Sequence, residues 1–498
     1  MLSAQLLVFL LPAAVFVALG LAVALSGLLQ YRLAGRVSAE SRVAVALVII
    51  GIGALLSVAL TARNLDESLF AEGQVVLYED YAGGFAASRW LSLLLLGAAA
   101  VEIIRGWLRA RAAPQPDPAW PLLAALLLFY GGTLLVQGFL SEHVGFSHKE
   151  LYLPIVLLAV YFQPVRELES VLGVAKAVIL VLTLGSLIGI AVRPDFVLHR
   201  PAPGIIPGID WRLFGLTPHA NTLGPVALLG VLLELHSPSR RPWLLALHLG
   251  AAAAVFVLAQ SRTAWVAALM IATLVWVPLA ILPKGGFADD PKGFSRAVWT
   301  LIGCIGVAIA VVCGMAAFGG TEYLQRKTDL GTLNGRFQIW DITLEAWREN
   351  PLFGYGPEVW GAERRMRFNM FHVGQAHNQF VQTLGEAGLV GLFLLVGYLL
   401  ALLGAAWHRF TASRGLTLAL LLVLLARCIT EAPLRSEGLL TWASFLHVLL
   451  LLVACHHLRQ PVRHGIANSP QRPRRAHRVM GATSGPSRFS AALRRSPT

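Results

Sequence analysis

The sequence predicts an all-α fold: a polytopic bundle of about twelve or thirteen transmembrane helices, with one large outer loop that contains an amphipathic helix. Three observations support this prediction: the composition, the lengths of the apolar runs and the placement of basic residues between them. Of the 498 residues, 56% are hydrophobic and 13% are charged, whereas about a quarter of the residues of a soluble domain are charged. The mean hydropathy is +0.66, so a lipid bilayer is the expected environment of the chain.

Thirteen apolar runs are candidates for membrane spans, since a hydrocarbon core about 30 Å thick needs about 20 residues of helix. The fifth run is short, and the seventh is interrupted by polar residues. The runs are 6–30, 43–61, 89–108, 119–140, 150–164, 170–192, 216–235, 242–260, 263–283, 297–318, 386–407, 415–433 and 438–457.

Basic residues follow the odd-numbered runs, as Arg32 and Arg36 follow the first and Arg105 and Arg109 the third. The loops after even-numbered runs contain fewer, and the first of them is acidic. The positive-inside rule therefore predicts an outer N-terminus and a cytoplasmic C-terminus. The rule also accounts for the net charge of +13. We expect no nucleic-acid partner, because the chain has no soluble module that would bind one.

The predicted organisation has three parts. Residues 1–192 form N-terminal transmembrane helices, and residues 193–458 form a core that includes the long outer loop 319–385. Residues 459–498 form a basic tail with nine arginines and little apolar periodicity, which predicts a disordered cytoplasmic segment.

A helix is predicted inside the long outer loop. Its signals are an N-cap at Asn334, an Asn350-Pro351 end, and large apolar residues on one helical face. These residues are Phe337, Trp340, Leu344 and Trp347. We expect this helix to lie on the membrane or on the bundle.

No metal site is predicted. The four cysteines lie within apolar runs and lack the spacing of disulfides or metal ligands. The outer face carries no acidic cluster of the kind that binds divalent cations. The cysteines are Cys304, Cys313, Cys428 and Cys455.

Polar segments gather at the predicted outer ends of the spans, where they bring together Arg212, Arg262, Arg336 and His377. The planar guanidinium of arginine donates two parallel hydrogen bonds to phosphate and stays charged. Arg336 opens the loop helix, where free N–H groups favour anions, and a histidine can take a proton from a hydroxyl. The pattern predicts a site for an anionic, membrane-bound substrate. The alternative is that the arginines contact lipid head groups and that the histidine is structural.

Two charged residues, Arg427 and Glu431, lie one helical turn apart inside the run 415–433. Intramembrane charges are often functional. A pair that neutralises itself across one turn is the other interpretation.

Three ordered motifs in residues 212–395 resemble a known family. The sequence is similar to the O-antigen ligase and O-antigen polymerase family of bacterial polytopic membrane glycosyltransferases. The motifs are Ser261-Arg262-Thr263 at a helix start, Gly335-Arg336 with Trp340 followed by Asn350-Pro351-Leu352-Phe353-Gly354-Tyr355-Gly356, and His377-Asn378-Gln379-Phe380 leading into Leu384-Gly385-Glu386-Ala387-Gly388-Leu389-Val390-Gly391.

The resemblance implies a bundle of the lipid-dependent glycosyltransferase type with a periplasmic loop, in the bacterial inner membrane. It implies transfer of a glycan from undecaprenyl diphosphate to an acceptor hydroxyl, with inversion and without metal or cofactor. Arg262, Arg336 and Arg212 would hold the diphosphate. His377 would deprotonate or orient the acceptor hydroxyl. Three further residues would support the site: Asn378, Ser261 and Asn221.

The acceptor is left open by the motifs. A ligase uses lipid A-core, a polymerase uses a growing O-antigen or exopolysaccharide chain, and a related branch uses protein; the compact His377 region favours the ligase. Outside this class, a membrane transporter or a flippase for lipid-linked sugars is the alternative. Such proteins place polar residues or broken helices near the membrane midplane, whereas here the polar groups gather at the outer face. Only Arg427 and Glu431 favour a charged central cavity.

Overall fold

The computed structural model describes residues 38–61, 63–66, 86–113, 116–200, 206, 209–281, 336–370, 373–436 and 438–461. The predicted spans 6–30 and 297–318, the proposed N-cap Asn334 and residues 462–498 of the basic tail lie outside the described residues. All eleven remaining predicted runs contain helix. The three-part organisation of the chain stays a prediction.

Seven described helices are long and apolar enough to cross a membrane, which confirms a polytopic all-α membrane protein. Three further apolar helices have 15 to 17 residues. In chain order the helices are α1 (Ala39–Ala59), α2 (Ala86–Ala112), α3 (Trp120–Phe139), α4 (Tyr152–Tyr161), α5 (Leu168–Val192), α6 (Pro194–Val197), α7 (Ala220–His236), α8 (Pro242–Leu258), α9 (Arg262–Ile271), α10 (Val277–Ile281), α11 (Arg336–Glu349), α12 (Ala362–Arg367), α13 (Gln379–His408), α14 (Leu416–Thr430) and α15 (Trp442–Arg459). A π-helical segment, Ala272–Trp276, joins α9 to α10.

The fifth predicted run is shorter as a helix than expected. A 3₁₀ turn, His148–Leu151, leads into α4, which has 10 residues. At 1.5 Å per residue α4 is about 15 Å long, roughly half the hydrocarbon thickness. Residues 150–164 therefore do not form a full-length α-helical span.

The last helix, α15, lies at the centre of the bundle and contacts α1, α4 and α14. Its His447 lies between two tyrosine hydroxyls: Tyr398 Oη is 2.6 Å from Nε2, and Tyr130 Oη is 3.3 Å from Nδ1. Tyr130 also contacts the Leu434 carbonyl oxygen at 3.2 Å. Polar groups buried among hydrocarbon need such partners, so this network fixes the packing of α3, α13 and α15.

Helix α13 is broken at Gly388, whose φ of 62° is left-handed. The backbone of the preceding loop fills the break. Leu389 N donates to Pro351 O at 3.0 Å, and Val390 N donates to Leu352 O at 3.1 Å. A Cβ on Gly354 would lie 2.6 Å from Gly388 N, so only glycine permits this approach.

The loop helix is confirmed as α11, but its fully buried face differs from the predicted one. Ile339, Ile342, Thr343 and Ala346 are buried, whereas the predicted aromatic face is partly exposed and Phe337 is 47% exposed. The reason is that the tryptophans on that face lie at the edge of the packed layer, where their indole N–H groups donate hydrogen bonds to backbone carbonyl oxygens. Trp340 Nε1 donates to Ala376 O at 2.8 Å, and Trp347 Nε1 donates to Pro351 O at 2.9 Å.

Candidate active site

A short antiparallel strand pair fixes Arg212. Strand β1 (Leu198–His199) pairs with β2 (Arg212–Leu213). Arg212 Nη2 donates to Asn221 Oδ1 at 3.2 Å and to Gln260 O at 3.3 Å. The guanidinium thus joins the start of α7 to the turn between α8 and α9.

The turn between α8 and α9 presents Arg262. Gln260 is left-handed, with a φ of 47°, and Ser261 caps α9 by accepting a hydrogen bond from Ala264 N at 3.4 Å. Arg262 is then the first residue of α9. Burial and the positive charge of Arg262 lower the pKa of Arg212 to about 10, so both guanidinium groups are charged at neutral pH and lie near each other.

His219 supports the same region. It caps α7, with Nδ1 accepting a hydrogen bond from Asn221 N at 3.1 Å. Burial and the charge of Arg212 lower the pKa of His219 to about 3. The imidazole is therefore neutral at neutral pH and carries its proton on Nε2. The sequence analysis assigned no role to this residue.

His377 lies at a helix start, in a left-handed conformation with a φ of 48°. The next residue, Asn378, caps α13 by accepting hydrogen bonds from Phe380 N at 2.9 Å and Val381 N at 3.2 Å. The His377 side chain is 33% exposed, so a substrate can reach it. Asn378 thus fixes the backbone next to His377, and its supporting role in the site stays a prediction.

Glu431 is the partner of His377. Its Oε2 lies 2.9 Å from His377 Nδ1 and accepts from Gln375 Nε2 at 3.0 Å, and its Oε1 lies 3.7 Å from Arg336 Nη2. Burial alone raises the pKa of Glu431, but the hydrogen bond and charge of His377 and the charge of Arg336 lower it to about 2. The carboxylate is ionised and favours a proton on Nδ1 of His377, so that Nε2 is the acceptor.

The pairing of Glu431 with Arg427 across one helical turn is wrong. Helix α14 ends at Thr430, and Glu431 is extended, with φ −149° and ψ 176°. Its carboxylate contacts His377 and Arg336. A one-turn spacing predicts a contact only where the helix continues through both residues, and Pro433, two residues after Glu431, is a sequence signal for the end of α14 that the predicted run 415–433 did not take into account.

The predicted residues thus come from separate segments and meet in one region. His377 and Arg336 both contact Glu431, while Arg212 and Arg262 interact through their charges. The two groups are linked by Thr263 Oγ1, which donates to Thr430 Oγ1 at 2.9 Å. The arrangement combines a base, a carboxylate that orients it, and several cations, which suits attack by a hydroxyl with departure of an anion. Within the part of the chain that the structure describes, His, Cys, Asp and Glu side chains form no group of three or more that could hold a metal ion.

Comparison with known proteins agrees with the motifs. Residues 226–396 match the family model described as O-antigen ligase, and the match includes Arg262, Arg336 and His377. A protein of Haemophilus influenzae described as uncharacterized is 29% identical over 82 residues, which cover 15% of this chain and 21% of that protein. The chain therefore spans about a fifth of the length of this relative. The family predicted from the sequence motifs is confirmed by the first of these matches.

Proposed function

Because residues 226–396 form an O-antigen ligase domain in a multi-pass membrane protein, we propose that the chain transfers a glycan from undecaprenyl diphosphate to an acceptor hydroxyl. The family match supports a membrane glycosyltransferase-like activity of the ligase or polymerase type. The observation that carries the proposal is the contact of His377 with Glu431 beside Arg336. A partly exposed base in contact with a carboxylate, next to several arginines, matches a reaction in which a hydroxyl loses a proton and a diphosphate leaves.

In the proposed reaction, Nε2 of His377 accepts the proton of the acceptor hydroxyl as its oxygen attacks the anomeric carbon of the glycan. The bond between that carbon and the phosphate oxygen breaks, and the carrier diphosphate leaves with the electron pair. Attack from the opposite side inverts the anomeric carbon. Glu431 stabilises the resulting imidazolium, because Oε2 lies 2.9 Å from Nδ1 of His377 and a hydrogen bond between charged groups at this distance is strong.

The arginines stabilise the negative charge that develops on the leaving diphosphate. We assign this role to Arg262 and Arg336, with Arg212 as a third positive charge. The Arg336–Glu431 distance of 3.7 Å exceeds a normal hydrogen bond, so Arg336 keeps donors for the substrate. Since the cations are supplied by side chains, the proposed transfer needs neither metal nor cofactor.

The proposed location is the bacterial inner membrane, with the C-terminus in the cytoplasm and the site on the periplasmic side. The basic loops support this orientation through the positive-inside rule. The proposed acceptor is lipid A-core, as for a ligase. A growing O-antigen or exopolysaccharide chain is the second candidate, because both reactions use the same donor chemistry.

The test is a transfer assay with the purified chain in detergent, an undecaprenyl-diphosphate glycan, and lipid A-core or a lipid-linked repeat unit as acceptor, in EDTA. We expect His377→Ala and Arg262→Ala to abolish transfer. The matched controls His236→Ala and Arg241→Ala change a histidine and an arginine at the opposite end of α7 and the start of α8 and are expected to retain it.

The outcomes separate the hypotheses. Product on lipid A-core supports a ligase, and a lengthened glycan on the carrier supports a polymerase. Transfer that survives His377→Ala contradicts the catalytic assignment. If no acceptor is glycosylated while liposomes containing the chain move a lipid-linked sugar or another solute across the membrane, the flippase or transporter alternative replaces the enzyme.

A further inference from the structure

Arg427 is a buried, charged side chain. Part of its guanidinium has no hydrogen-bond partner among the described residues. Arg427 lies in α14 and is 5% exposed, and neither Nε nor Nη1 has a hydrogen-bond partner among the residues that the structure describes. A charged group within a membrane bundle is costly unless it is paired. An unpaired buried donor of this kind therefore calls for a ligand or a functional reason.

Arg63 shows what a structural arginine of this protein looks like. It is 4% exposed, and all three of its donor atoms are bonded to backbone carbonyls. Nε donates to Phe196 O at 2.9 Å, Nη1 donates to Thr217 O at 2.6 Å, and Nη2 donates to Gly215 O. Two arginines of nearly equal burial thus differ in whether the protein itself satisfies them.

The helical face that carries Arg427 leads into the candidate active site. Thr430, three residues later, bonds to Thr263 at the start of α9. Glu431, four residues later, contacts His377 and Arg336, and it is the charged group that acts most strongly on Arg427. Because α14 ends at the site, Arg427 lies one turn inside the bundle from the residues that form it.

Resting on the proposed function, we propose that Arg427 is a further donor-binding residue, which contacts the carrier diphosphate from the bilayer side. The hydrocarbon of the carrier stays in the membrane, so the phosphate attached to it enters the site deepest. Nε and Nη1 lie on different edges of the guanidinium, and each can donate a charge-assisted hydrogen bond to an oxygen of the diphosphate. This phosphate remains on the carrier after transfer, so Arg427 binds both the donor and the released carrier diphosphate.

This position predicts a particular kinetic effect. A residue that binds the diphosphate equally strongly before and after transfer affects substrate binding more than the rate of the chemical step. We expect Arg427→Gln to raise KM for the donor and the inhibition constant of undecaprenyl diphosphate by about tenfold each, as loss of one charged hydrogen bond corresponds to about that factor. The expected change in kcat is smaller than threefold. Arg427→Lys retains the charge and is expected to fall between the wild type and Arg427→Gln.

The closing experiment measures thermal unfolding of the full chain in detergent across a titration with inorganic pyrophosphate. We expect pyrophosphate to raise the apparent Tm of the wild type, with about tenfold more needed for Arg427→Gln or Arg427→Met. Without pyrophosphate, both variants are expected to unfold at or above the wild-type Tm, because an unpaired buried charge has been removed. Arg63→Gln is the matched control: its Tm falls, and its pyrophosphate dependence is retained.

A structural role for Arg427 makes the opposite prediction. If both Arg427 variants unfold well below the wild type, as Arg63→Gln does, or if they respond to pyrophosphate like the wild type, the inference is overturned. Arg262→Gln separates this failure from failure of the proposed function. Loss of the pyrophosphate response in Arg262→Gln but not in Arg427→Gln rejects only the role of Arg427. If neither pyrophosphate nor undecaprenyl diphosphate changes the Tm of the wild type, the diphosphate site falls together with the proposed function.

Discussion

Glutamine in place of Glu431 removes one negative charge from beside His377 while almost preserving the size of the side chain. In the wild type, burial is outweighed by the hydrogen bond from His377 and the charge of Arg336, and the pKa of Glu431 is about 2 instead of 4.5. A pKa difference of this size corresponds to roughly 3 kcal/mol of favourable interaction with the charged carboxylate. The side chain is 14% exposed, so solvent screens only part of this energy.

The proposed reaction places a positive charge on His377 when it accepts the proton. Because Glu431 stabilises that charge, we expect Glu431→Gln to lower kcat by about a hundredfold, which corresponds to about 2.7 kcal/mol in the barrier. KM for the donor is expected to change less than threefold, since the carboxylate of Glu431 contacts His377 and does not bind the diphosphate. The measurement is the initial rate of glycan transfer as a function of donor concentration.

The matched control is Glu345→Gln, which removes the same charge from an exposed position on α11 and is expected to leave kcat and KM unchanged. The reasoning is refuted if Glu431→Gln keeps kcat within threefold of the wild type with an unchanged thermal unfolding curve. It is also refuted if Glu345→Gln lowers kcat equally, because the effect would then reflect overall charge and not the contact with His377.

Two further predictions concern stability. Gly388→Ala is expected to lower the free energy of unfolding by about 2 kcal/mol or more, since φ is 62° and a Cβ would collide with the Leu352 carbonyl. The control is Gly397→Ala, where a Cβ meets nothing within 4 Å. An equal Tm for both variants would contradict the explanation. The lowered pKa of His219, about 3 against 6.5, means that its contribution to stability is complete above pH 6.5 and is lost as the pH falls toward about 3. His219→Asn keeps a helix-capping oxygen, and its Tm is expected to fall less than that of the wild type between pH 6.5 and 4. Tm curves that run parallel for the two proteins would refute this.

The bundle was largely predictable because apolar runs identify helices by length. The predicted start of the eleventh run at residue 386 was late, since α13 begins at Gln379. The polar residues Gln379 and Gln382 belong to this helix, and their side chains bond to other segments of the protein. Gln379 Oε1 accepts from Leu434 N at 2.8 Å. Gln382 Oε1 accepts from Ala376 N at 2.6 Å. Local hydropathy cannot identify a helical turn whose polar side chains are satisfied by the protein itself.

The site was predictable in its residue types but not in its pairing. Arg262, Arg336 and His377 were identified because they lie at the outer ends of apolar runs within ordered motifs. The contact of His377 with Glu431 depends on where α14 ends and on the extended conformation of Glu431. The break at Gly388 depends on a loop segment more than 30 residues earlier in the chain. Both features are set by tertiary contacts, which composition and spacing do not contain.

The hydrogen bonds between residues 351–355 and the broken helix α13 also restrict where the outer loop can change in length. Tyr355 N donates to Gly385 O at 2.8 Å, and Pro351 and Leu352 accept from the helix beyond the break. One residue added between Leu352 and Tyr355 would put the Tyr355 bond out of register with the other two and disturb the part of α13 that begins next to His377. An epitope tag for mapping the membrane side of the loop therefore belongs near Asn369, which is exposed and follows α12, where an insertion leaves these hydrogen bonds in register.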